Sequence, residues 1–264
     1  LELAERATRG ANANYKGTSD TEVAVIMPQL DNAGFRAMYI GSLSAGIERD
    51  ASVVTLDARN EVDTQLAMIE DMITQQVDSI VFVPVDSAAM STGVVKANEA
   101  GIPIVAMDRS TQGGDLTALV ESNNTEIGRG GADLMAQAAE NQGVAIEDLQ
   151  VLELLGDMAT SAAVERHEGF SQRAEELGIE IVQEGATNWD PAEANAAVLD
   201  AFQAKPNINA IYMASGCAMY TGVKSALETI DRLHERSEDG HIILISSDGC
   251  PAPLDGIREG YVDG

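Results

Sequence analysis

The stretch "GIPIVAMDRS" at 101–110 decides how the rest of the chain is read. Ile102, Ile104, Val105, Ala106 and Met107 form an apolar run without polar alternation, which is the pattern of a strand covered on both faces. Asp108 and Arg109 stand side by side where that strand must stop. A second run, "HIILISSD" at 241–248, also ends in an aspartate, Asp248. Working outward, "EVAVIMP" (22–28), "SVVTLD" (52–57) and "SIVFVP" (79–84) precede the first run, and "TALVES" (117–122) follows it. Ahead of the second run come "VLELLG" (151–156), "IEIVQE" (179–184) and "INAIYM" (208–213). Segments of helical period separate them, at 33–49, 62–76, 88–100, 126–141, 160–176, 191–203 and 217–234. In the second of these, Leu66, Ile69, Met72 and Ile73 recur at spacings of three and four.

Strands alternating with helices build parallel βαβ units. The chain therefore predicts an α/β fold of two similar doubly wound, Rossmann-like lobes, each with four parallel strands and each ending in a strand that delivers Asp to its tip. The expected divisions are a polar N-terminal tail at 1–20, a first lobe at 21–122 and a second at 123–264. In open parallel sheets, ligands sit beyond the carboxyl ends of the strands. Two lobes facing each other across those ends would form one cleft.

The 264 residues are more than one hydrophobic core comfortably organises. The 43 acidic residues against 16 Lys and Arg leave a formal charge of −27, and the only lysines are Lys16, Lys96, Lys205 and Lys224. A field of that sign repels phosphate backbones, which argues against nucleic acid as a partner. The acidic groups are scattered as a solvated surface is. Such a surface suits high salt, where a Debye length of about 3 Å at 1 M relieves self-repulsion. No run approaches a membrane span, and the start lacks the pattern of a signal peptide.

The strand ends hold the candidate binding groups. After the first strand, "QLDNAGF" (29–35) brings Asn32 and Phe35 to a loop-helix junction, where Asn32 also reads as a helix N-cap and Phe35 as core. Asp108 and Arg109 read either as an internal salt bridge or as an acceptor and a donor fork for a hydroxyl-rich ligand. Arg166, in the first turns of the helix in "GDMATSAAVERHEGF" (156–170), gains nothing from the helix dipole and so reads toward a ligand or partner. Trp189, the single tryptophan, lies in "NWDPAEA" (188–194) before a helix opened by Asp190 and Pro191. It suits a stacking platform or a core site. Asp248 in "SSDGCPAP" (246–253) completes the set. Aromatics with carboxylates, an amide and arginines fit a neutral polyhydroxylated ligand, whose ring faces stack while its hydroxyls need donors and acceptors.

From about residue 21 to its end, the chain resembles the periplasmic sugar-binding proteins of ABC importers, of the ribose-binding type (type I periplasmic binding proteins). The likeness rests on "DNAGF…GSLSAG", "VPVDSAA", "GIPIVAMDRS", "ESNN…G" at 121–128, "TSAAVERHEGF" and "ISSDG", in that order. It implies two hinged lobes closing on a monosaccharide or related neutral polyol, with the crossover near 122–124 as one hinge strand. Asn32, Phe35, Asp108 and Arg109 would bind from the first lobe, and Arg166, Trp189 and Asp248 from the second. It further implies a monomer that delivers its ligand to the membrane permease of an importer, without cofactor, metal or catalysis. The implied location is periplasmic or extracellular, with a lipid anchor before processing left open.

The chain departs from the family at Gly216 and Cys217, where Asn-Asp is common, at Gly34, where a second aromatic is usual, and at Val83. These changes argue against ribose itself. Family members also cross back to the first lobe after the position of Gly264. That C-terminal return segment is missing here, so the expectation is a chain truncated relative to its gene product.

Cys217 and Cys250 follow strands that are neighbours in a doubly wound sheet, so a disulfide is expected in an oxidising compartment. None of the three histidines sits at metal-ligand spacing with them. An enzyme is disfavoured because no dinucleotide, phosphate-loop or nucleophile-elbow motif occurs. A ligand-sensing core of the lactose-repressor type would need a basic helix-turn-helix ahead of residue 21. A receptor reporting to a chemoreceptor or sensor kinase stays open beside transport.

Overall fold

The computed structural model describes residues 14–264. It divides into two compact units. One comprises the described residues up to Ser122 together with Ala159–Ser161; the other comprises Asn123–Met158 and Ala162–Gly264.

In the first unit the order is β1 (Glu22–Met27), α1 (Ala33–Glu48), β2 (Ser52–Asp57), α2 (Val62–Thr74), β3 (Ser79–Phe82), α3 (Ser91–Glu99), β4 (Ile104–Met107) and β5 (Ala118–Val120). Its sheet is wholly parallel, in the order β2-β1-β3-β4-β5. The second unit holds α4 (Asn124–Gln142), a 3-10 turn (Ile146–Asp148), β6 (Gln150–Leu155), α5 (Ser161–Leu177), β7 (Glu180–Ala186), α6 (Pro191–Ala204), β8 (Ala210–Met213), α7 (Gly216–Thr229), β9 (Ile243–Ser246) and α8 (Pro251–Glu259). Its parallel sheet runs β7-β6-β8-β9. Matched strand by strand, this is the order β2-β1-β3-β4 of the first unit.

Successive strand residues feed opposite layers, which is why the strands are apolar throughout. On β1, Ala24 and Ile26 pack with Ile69, Phe82, Met90 and Val94. Val25 and Met27, on the other face, pack with Phe35, Tyr39 and Leu43 of α1. In the second unit Leu152 and Leu154 join the layer of α6 and α7. Val151, Tyr212 and Ile243 face Met135 of α4 and Phe170 of α5. The Phe170 and Tyr212 rings stack at 3.9 Å there.

The structure departs from the sequence expectations in four places. Residues 14–20 dock onto β2: Tyr15 bridges Val53, and the Thr18 amide donates to Asp50 at 2.9 Å. The rest of the expected tail, 1–13, lies outside the described residues. The helix expected over 217–234 stops at Thr229, because Asp231 takes a left-handed backbone (φ 55°) and residues 230–242 form a loop. The helix expected from 88 starts at Ser91, since Asp86 caps a separate turn through the Ala88 and Ala89 amides. Finally, α8 was not expected, its two prolines and Gly256 masking a short helix whose first turn tolerates proline.

Candidate ligand-binding site

In the first unit, β4 ends at Met107, and Asp108 follows with φ 65°. A side chain pays for left-handed backbone, and aspartate tolerates it better than most residues. The Asp108 amide donates to Val120 O at 2.8 Å and the Arg109 amide to Met107 O at 2.7 Å, which fixes the turn. The Arg109 side chain is buried. Its Nη1 donates to Pro84 O at 3.1 Å, its Nε lies 3.6 Å from Asp108 Oδ2, and its guanidinium sits over the Phe35 ring at 5.2 Å. Phe35 is itself core, so the ring acts as the floor beneath Arg109. Asn32 caps α1, its Oδ1 accepting from the Gly34 and Phe35 amides at 2.8 and 3.2 Å. The structure shows the internal ion pair of the two readings, anchored to backbone at the strand tip.

In the second unit, β9 ends at Ser246 and Asp248 has φ 67°. Asp248 Oδ2 accepts from Arg166 Nη1 at 2.9 Å and from Ser215 Oγ at 2.6 Å. Arg166 is buried, and it also donates from Nη1 to Ala214 O at 2.7 Å and from Nε to Asn124 Oδ1 at 3.0 Å. One carboxylate oxygen is therefore anchored by two donors, while the Asp248 side chain as a whole stays 36% exposed. The turn is held at close range. The Gly216 amide donates to Ser247 O at 2.7 Å, and a Cβ on Gly216 would lie 2.7 Å from Ser246 Oγ. Cys217 and Cys250 are joined in a disulfide with Cα atoms 5.6 Å apart. This close, crosslinked approach accounts for Gly-Cys standing where the family pattern has larger polar residues.

Trp189 follows β7, at the opposite edge of the sheet from β9. It has φ 60° after Asn188 at φ 48°, and it is half-buried against the core. Its ring covers the backbone of Gly156, where a Cβ would come within 2.1 Å of it. The indole Nε1 is buried and finds no hydrogen-bond partner among the described residues.

The structure brings Asn32, Phe35, Asp108 and Arg109 together in the first unit and Arg166 with Asp248 in the second. Trp189 stands apart from that pair. The sequence reading missed Asn124 and Ser215, which hold Arg166 and Asp248, and Gln65, a buried amide that bridges Val83 O and the Val85 amide at 2.8 Å each. For Asn124 a signal existed, the paired asparagines of "ESNN" opening α4. For Ser215 and Gln65 there was none. A groove of about 650 Å³ lined by Asp133, Leu134, Gln137, Glu140, Ile146 and Leu177 contains none of the candidate residues.

The comparisons with known proteins agree with this architecture. Residues 23–264 match the model of the periplasmic binding protein domain. The chain is 30% identical to the ribose import binding protein of Bacillus subtilis over 226 residues, 84% of this chain and 69% of that protein. It is 27% identical to the ribose import binding protein of Salmonella typhimurium over 258 residues, 98% and 81% of the two chains. The crystal structure of an ABC transporter solute binding protein of Bacillus halodurans, with bound myo-inositol, is similar at 26% identity and a TM-score of 0.79, covering 94% and 82%. The chain belongs to the periplasmic binding protein family, within its type I, ribose-binding branch.

Proposed function

We propose that the protein is an extracytoplasmic receptor that binds a monosaccharide or related neutral polyol and delivers it to the membrane permease of an ABC importer. The observation that carries this reading is the repeated strand tip: in each unit a left-handed aspartate is paired with a buried arginine. Two aspartates and two arginines sum to zero, so the groups select for hydroxyls rather than for ligand charge. Each carboxylate accepts and each guanidinium donates with fixed geometry, which a vicinal diol can satisfy in both senses. An anion would also meet the field of a chain with formal charge −27. The relatives' ligands support the reading, because ribose and myo-inositol are both neutral, hydroxylated rings.

A thermal-shift screen against pentoses, hexoses, inositols, other polyols and deoxysugars tests it. A ligand at 100 times its Kd stabilises by about 2.7 kcal/mol. The expected result is a clear rise in Tm with at least one neutral polyol, lost in Asp108→Ala while the unliganded fold persists. No rise with any neutral polyol overturns the proposal.

A further inference from the structure

Away from the strand tips, the second unit buries a carboxylate in the middle of its sheet. Glu153 lies on β6 between Leu152 and Leu154, on the face that Val151 shares with α4 and α5, and its side chain is wholly inaccessible. Its neighbour in register on the edge strand β7 is another acid, the exposed Glu184. Like charges directly abreast in a sheet repel, and burial pushes the Glu153 carboxyl above its ordinary value, an effect partly offset by His167. His167 and Ser171, one turn apart on α5, cover the pair. His167 Nδ1 lies 3.0 Å from Glu153 Oε1, while Ser171 Oγ lies 3.3 Å from Glu153 Oε2 and 3.2 Å from His167 Nδ1. One ligand atom each from Glu153, His167 and Glu184 falls within 4.8 Å of the others.

We propose that Glu153, His167 and Glu184 form a binding site for a divalent transition-metal ion of the Zn²⁺ class. The geometry favours it in three ways. Ligand atoms of the three side chains already lie within 4.8 Å of one another, so small rotations bring them to the positions that bonds of roughly 2.0–2.2 Å to one metal require. Glu184, at a sheet edge, can swing its flexible side chain inward to supply the third bond. The donor set of one imidazole and two carboxylates suits Zn²⁺ and its neighbours, whereas Ca²⁺ requires about 6–8 oxygens. Even a protonated His167 leaves the cluster one negative charge in excess, which a dication with neutral imidazole cancels. Side-chain exposure of 25% at His167 leaves a path from solvent and room for water as a further ligand.

The experiment is calorimetric titration of ZnCl2 into the chelator-stripped full chain, in a non-chelating buffer with enough NaCl to screen the acidic surface. The expected result is one saturable site per chain, weakened at least tenfold in Glu184→Gln and in His167→Gln, and not competed by Ca²⁺. The Glu184 variant, at an exposed position, keeps the test valid if the His167 variant fails to fold. Absence of saturable binding, binding unchanged in Glu184→Gln, or equal competition by Ca²⁺ overturns the site. Substituted Co²⁺ gives a second readout, an absorption spectrum of low coordination number in the wild type that the Glu184 variant loses.

Discussion

The two units arrive at the same strand tip by different wiring. In the first, the arginine is the next residue after the aspartate, and only its outer supports, Pro84 O and the Phe35 ring, come from other segments. In the second, the arginine belongs to α5, 82 residues from Asp248, and the pair's further supports come from two other segments, Asn124 at the start of α4 and the adjacent Ala214 and Ser215 after β8. There a disulfide spanning 33 positions ties the start of α7, after β8, to the start of α8, after β9. One ion pair is preset by adjacency in the chain; the other forms only when its unit assembles. Damage to tertiary structure should therefore cost the second tip more than the first.

The largest effect expected is from the crosslink. Replacing both Cys217 and Cys250 by serine should lower stability by about 3–4 kcal/mol by the chain-entropy estimate for such a loop, read by urea denaturation, with no comparable loss available in the first unit. Next, Arg166→Ala should cost about 3 kcal/mol, since it strands a carboxylate and an amide that were paired. Arg109→Ala should cost less, about 1–2 kcal/mol. Equal losses in the two variants would erase the contrast drawn between the tips. Gly156→Ala should cost about 1–3 kcal/mol by displacing Trp189. Because Trp189 is the only tryptophan, a red shift in its emission should accompany that loss.

The smallest effect expected is one of pH. Burial lowers the His241 imidazole pKa, but hydrogen bonds to Asp263 at 3.0 Å and to His234 O at 2.7 Å outweigh it, leaving a net rise. A raised folded value means stability that is full below about pH 6.5 and is lost as pH climbs through the folded value. The Tm gap between wild type and His241→Gln should therefore narrow from pH 5.5 to pH 8.5. A gap that widens would overturn the assignment. The first unit contains no histidine, so this dependence belongs to the second alone.

What could be read from the sequence follows from range. The strands and most helices are announced by local periodicity, and Asn32 and Asp190 by capping chemistry, with Asp190 Oδ1 accepting from the Ala192 and Glu193 amides. Asp108 and Arg109 were legible as a pair because they are adjacent. The bond from Arg166 to Asp248 was not, since no local pattern links positions so far apart. Phe35 on its own read more often as core than as a ligand contact; only the packing revealed that it underlies Arg109. Glu153 went unnoticed inside "VLELLG" because one acid among leucines does not disturb a strand pattern, although its burial makes it chemically distinctive.

The loop at 230–242 lies between Cys217 and Cys250, so it is part of a closed covalent ring with α7 and β9. Arg236 is exposed on that loop. Trypsin cutting there would open the ring without dividing the molecule: one band without reductant, two with it. A backbone break that would sever the Asp248 arm in a chain without the disulfide would leave it attached here.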